Sequence, residues 1–106
     1  MDSIDSSMIP LVSFLFEQAQ IKVDITFLKL AVMDDGGMGS HRFENSNPDA
    51  QFGKEVARCT FTDADGIVVS ATLNLDQYGN LFELDLFKGD FSKLIKWPKA
   101  FELNVT

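Results

Sequence analysis

The spacing of hydrophobic positions changes period along this chain. Ile9, Val12, Phe16 and Ala19 recur every three or four residues, and Leu11 and Leu15 widen the stripe. That rhythm predicts one amphipathic helix within "DSSMIPLVSFLFEQAQ". Ser6 or Ser7 is the expected cap, and Pro10 fits the first turn, where its missing N–H would have had no helical partner. A stripe this wide must be covered, and a sheet is the natural cover.

The period then shortens. "VDITFLKLAV", Val23 to Val32, is rich in β-branched and large apolar residues and reads as a strand, with helix as the alternative. "GSHRFE" reads as a short strand. Asn45 to Gly53 gathers Pro, Gly, Asn and Asp and reads as a loop. "KEVARCTFT" and "IVVSATLNL" flank "DADG", Asp63 to Gly66, where Asp-Gly supplies the positive-φ positions of a hairpin turn. Ile67, Val69, Ala71, Leu73 and Leu75 share one face; Val68, Ser70, Thr72 and Asn74 share the other. "DQYGN" is a second turn into "LFELDLF", with Phe82, Leu84 and Leu86 on one side and Leu81, Glu83, Asp85 and Phe87 on the other. Such alternation marks a sheet with one buried face.

In the tail, Phe91, Leu94, Ile95 and Trp97 form either a helical turn or an extended segment, stopped before Pro98. The predicted fold is therefore α+β: a curved antiparallel meander of four or five strands with an N-terminal helix packed on one face. At 106 residues the chain is expected to form a single domain, 1–106.

Charge narrows the partners. Nine Lys and Arg against sixteen Asp and Glu leave a formal charge of −7, which repels phosphate backbones and favours basic proteins. The only basic cluster, Lys88, Lys93, Lys96 and Lys99, is interleaved with Asp90 and Glu102 and reads as a mixed solvated face. No nucleic-acid partner is expected. The single cysteine, Cys59, allows no internal disulfide, and the acidic start "MDSIDSS" does not resemble a signal peptide. The apolar run Met8 to Phe16 is far shorter than a bilayer span. A cytoplasmic protein without a membrane partner is the expectation.

The densest candidate chemistry lies in "VMDDGGMGSHRF", Val32 to Phe43. Its glycines lack the P-loop and dinucleotide spacings, and no helix follows to present N–H groups to an anion. It reads as a flexible acidic connection. A hydrolase using His41 as general base would need a carboxylate or lysine partner, because there is no second histidine. The "DADG" carboxylates fail the calcium-loop pattern, with Ile67, Val68 and Asn74 at the positions that decide it. One Cys and one His cannot make a structural zinc site, and Cys59 reads as a small core residue. No catalytic residue, metal or cofactor is assigned. Glu83 and Asp85 share a strand face with Leu81 and Phe87, which makes either a binding patch or a surface that the tail and Trp97 cover.

"MDDGGMGS", Met33 to Ser40, followed by "FTDADGIVVSATLNLDQYGNLFELDLFKGDFSKLIKWP", resembles a family of small uncharacterised bacterial proteins carrying DGGMGS and LFELDxxKxDF motifs. The resemblance covers Met33 to Pro98. Gly89 departs from it, standing where a β-branched residue is expected. The family implies no catalytic residues. By size, charge and style the chain is similar to immunity proteins, which block a bacterial toxin.

The functional expectation is a non-enzymatic binding protein, an immunity-like inhibitor of a nuclease-type toxin domain. Its partner-binding residues would be Asp34, Asp35, His41, Arg42, Asp63, Asp65, Glu83, Asp85 and Asp90. The alternatives are a small-ligand-binding or regulatory domain and, behind it, the His41 hydrolase. An exposed outer strand leaves room for a homodimer.

Overall fold

The computed structural model describes all 106 residues. One helix, α1 (Ile9–Gln18), packs on one antiparallel sheet. The sheet has seven strands: β1 (Asp2–Ser3), β2 (Lys29–Val32), β3 (His41–Phe43), β4 (Phe52–Thr62), β5 (Val68–Asp76), β6 (Leu81–Lys88) and β7 (Asn104–Val105). Their spatial order is β1-β2-β3-β6-β5-β4-β7. The meander β4-β5-β6 is the centre, β2 and β3 extend it from β6, and β7 closes the far side against Cys59 and Thr60.

Four or five strands were expected because β1 and β7 hold only two residues each, too few to show alternation. Val23 to Val32 is likewise shorter as a strand than expected. Asp24 Oδ1 accepts from the Thr26 amide and caps a 3₁₀ turn at Ile25–Phe27, so pairing begins only at Lys29. The helix start is also corrected. Asp5, rather than Ser6 or Ser7, is the cap: its carboxylate accepts from Ser7 N at the head of a 3₁₀ turn, Ser6–Met8, that leads into α1. Pro10 does occupy the first turn. Gln20, at φ 59°, ends the helix, and Ile21 N–H reaches back to the Phe16 carbonyl.

Leu11, Val12, Leu15 and Phe16 bury against Cys59, Phe61, Val69, Ala71, Leu73, Leu84 and Leu86. The expected inward positions of β4 and β5 therefore hold as far as Leu73. Three irregularities then shift the alternation. Gly53 and Val56 interrupt the β4 register against β5, and Phe82 has no partner between Leu81↔Leu75 and Glu83↔Asn74. In consequence Leu81 packs on the core, whereas Phe82 lies outside the core cluster and under the Arg42 guanidinium, 5.2 Å from its ring centre. The expected grouping of Phe82 with Leu84 and Leu86 is thus wrong at one residue.

Beyond Lys88 the chain turns at Gly89–Phe91, where Phe91 takes φ 64° and its N–H bonds the Lys88 carbonyl, and then runs without helix or strand up to Pro98. It runs on the core side. Trp97 sits against the His41 ring with centroids 5.8 Å apart, and it packs on the core cluster together with Leu94. It does not cover the Glu83 and Asp85 face. Gly39 explains why the glycine loop lies beneath this strap. Its φ is +110°, and a Cβ there would come within 3.1 Å of Leu86, 3.2 Å of Leu94 and 3.3 Å of Trp97.

Candidate functional site

The face opposite α1 carries three cross-strand rows. Glu55, Asn74 and Glu83 stand abreast on β4, β5 and β6, and Arg42 on β3 completes that row. Arg58, Thr72 and Asp85 form the second, and Thr60, Ser70 and Phe87 the third. Period-two alternation produces most of this polar layer, and the irregularity at Val56 brings Glu55 onto the same face as Arg58. The residues facing away from the helix stripe are the hydroxyls and charges of each strand.

Most charges here are matched. Arg42 Nη2 donates to Glu83 Oε2 at 2.7 Å, and Arg58 donates to both Glu55 oxygens at 2.7 and 3.1 Å. Asp85 has no cation against it. Burial, then the neighbouring Glu83 charge, push its carboxyl up to about 6, against the opposing hydrogen bond from Asn74 Nδ2 at 2.6 Å. Asn74 is only 4% exposed, and its Oδ1 is a buried acceptor with no partner. Asn74, Asp85, Thr72 and Phe87, with Asp35 and Ser40 from the glycine loop, help line a shallow groove of about 410 Å³. Phe87 remains 48% exposed and meets Phe91 edge-on at 5.1 Å.

The remaining expected site residues are dispersed. Asp34 is exposed beside Arg42, bordering a separate depression. Asp35 serves its own loop, accepting from Gly37, Met38 and Ser40 N–H groups at 2.9–3.1 Å. Burial opposes its charge, but those bonds hold its carboxyl below the usual range. His41 points to the core side, away from Arg42. Its Nδ1 lies 2.7 Å from the Gly39 carbonyl, which assigns that nitrogen as donor. Asp90 is exposed and binds Ser92 N and Oγ, which lower its carboxyl.

Asp63 is a clear correction, being 5% exposed rather than a steering charge. Its oxygens accept from Lys88 Nζ at 2.8 Å and from the Ala64, Ile95 and Lys96 amides. Burial disfavours its ionised form, yet these donors keep the carboxyl low. Asp65 reaches the same ammonium at 2.6 Å. Lys88 is fully buried rather than part of a solvated basic face, and it also donates to the Lys93 carbonyl at 3.0 Å. Burial opposes its charge, but the two carboxylates hold its ammonium above the usual lysine range. The trio anchors the tail.

Sequence reasoning also missed Asn45 and Asp76. Buried Asp76 accepts from Asn45 Nδ2 at 2.8 Å and from the Tyr78 and Asn80 amides, tying the 45–51 loop to the β5–β6 turn. Lys88 had a legible signal, since it continues the inward series Leu84, Leu86. Asn74 had none. Cys59 is buried, which pushes its thiol up to about 11. No three His, Cys, Asp or Glu side chains converge to hold a metal ion. No helix is long and apolar enough to cross a membrane.

These features define an α+β domain with one covered and one open sheet face. The chain belongs to the family described as Domain of unknown function (DUF6984), whose profile matches residues 1–98. That agrees with the resemblance to an uncharacterised family and leaves the roles of its motifs open. No curated protein and no solved structure matches the chain.

Proposed function

We propose that this protein is a non-enzymatic binding protein, an immunity-like inhibitor whose open sheet face receives a basic, nuclease-type toxin domain in the cytoplasm. The observation that carries this reading is the uncovered face itself. Four carboxylates, Asp35, Glu55, Glu83 and Asp85, outnumber the two guanidinium groups of Arg42 and Arg58 there. Phe87 supplies an exposed aromatic anchor. With a net charge of −7 behind it, such a face steers basic partners and rejects acidic ones. A sheet face held rigid on both sides by its ladder needs little reorganisation to bind.

The test is capture by the tagged protein at low and high salt, with mass spectrometry of what is retained. The expected result is one stoichiometric basic partner, lost at high salt and lost when Phe87 is changed to Ala. No partner at either salt, or a partner indifferent to both changes, contradicts the reading.

A second observation favours the small-ligand alternative. A depression of about 630 Å³ opens beside Phe16, Gln20, Ile21 and Ile25 at the end of α1. A metabolite panel that raises the melting temperature while protein capture fails would move the assignment there.

A further inference from the structure

The sequence "FELDLF" places two aromatic–acid pairs on β6, and only one of them is answered by a cation of this chain. Phe82 and Glu83 hold Arg42, whose guanidinium lies 5.2 Å from the ring centre and 2.7 Å from the carboxylate. Asp85 and Phe87 carry the same two chemistries one step along the strand. The nearest row-mate that could serve them, Arg58, is bound through two nitrogens to Glu55.

Asn74 adds a second, independent observation. Its Nδ2 is spent on Asp85 Oδ2, and its Oδ1 has no donor although the residue is 96% buried in the groove floor, being 4% exposed. Its cross-strand neighbours on both sides are Glu55 and Glu83, which are acceptors when ionised. No group of this chain donates to it. A buried acceptor without a donor costs stability, so a ligand that brings N–H groups gains by supplying them.

We propose that Asn74, Asp85 and Phe87 are the seat of one arginine side chain of the partner, donating to the Asp85 carboxylate and Asn74 Oδ1 while its plane lies on the Phe87 ring. Guanidinium fits better than ammonium because it offers several donors in one plane and stacks on aromatics, as Arg42 does next door. This inference rests on the open face being the partner surface, and it names the chemistry that face reads. Asp85 faces Glu83 on its own strand, Asn74 and Thr72 on β5, and Asp35 from the glycine loop, with Arg58 and Arg42 tied to other acids beyond them. Binding therefore weakens as pH falls through about 6, where Asp85 takes up a proton.

The test titrates N-acetyl-arginine amide into the full chain, following the Asn74 side-chain amide and Phe87 ring by NMR, with N-acetyl-lysine amide as control. The expected result is saturable shifts at both groups, at least about tenfold weaker with the lysine probe or in Asp85→Asn. Phe87→Ala, at an exposed position, should weaken binding several-fold while the fold is kept. Shifts absent, equal for both probes, or unchanged in Asp85→Asn overturn the inference. Arginine binding without any captured protein would retain this seat and remove the toxin reading. A captured partner indifferent to Asp85→Asn would do the reverse.

Discussion

Asp85 is the residue where stability and binding pull apart. Its carboxyl titrates near 6 in the fold, above the roughly 3.9 of an unfolded aspartate. The fold therefore prefers the protonated form. The resulting stabilisation is complete below about pH 4 and disappears as pH rises through about 6. Asp85→Asn, which has no proton to lose, should exceed the wild type in stability at pH 7.5 by on the order of 1 kcal/mol, after discounting for solvent screening. The two should coincide near pH 4, as urea unfolding at both pH values will show. Equal stability at pH 7.5 would mean that Asp85 ionises there without cost. Asp63 illustrates the opposite case. Its depressed carboxyl contributes stability above the ordinary carboxylate range and loses it on acidification. Its sequence setting in a hairpin turn suggested a surface charge, because the amides that bury it arrive from Ile95 and Lys96, thirty-two and thirty-three residues later.

At the scale of elements, the long strands were legible and the irregular pieces were not. β4, β5 and β6 each bury one face against α1, so a period of two is written into their residues. α1 was equally legible, with Leu11 and Leu15 at the centre of the buried stripe rather than its edge. The two-residue edge strands left no pattern, and bulges are set by register against a partner strand rather than by local sequence. Gly53 shows how strict that register is. A Cβ there would stand 2.2 Å from the Asp76 carbonyl oxygen, a backbone atom that cannot move aside. Gly53→Ala should cost at least about 3 kcal/mol, by displacing β4 from β5 where Asp76 also ties the loop. Gly66→Ala, whose Cβ would meet open space at φ +83°, should cost only about 1 kcal/mol. Thermal unfolding of the two variants separates steric register from simple turn strain; equal losses would contradict the distinction. The candidate site was half legible for the same reason. Arg42, Glu83 and Asp85 could be placed on outward positions, whereas the part played by Asn74 depends on two cross-strand neighbours that only pairing brings beside it.

For the whole molecule, the decisive arrangement is that helix and strap both close one side of the sheet. Trp97 packs against His41 on the core side, and Lys88 with Asp63 and Asp65 secures the chain that carries it. The acidic excess alone would attract any basic protein, and salt alone would weaken any such attraction. Location is what distinguishes an interface from a charged surface. Asp85→Asn and Glu17→Gln remove the same charge from opposite sides of the molecule, the first from the open face and the second from the exposed end of α1. The most direct measurement is partner capture by these two variants beside the wild type at low salt. Glu17→Gln should retain the partner and Asp85→Asn should lose most of it. Equal retention by both would remove Asp85 from the interface, and a greater loss with Glu17→Gln would contradict the assignment of the open face.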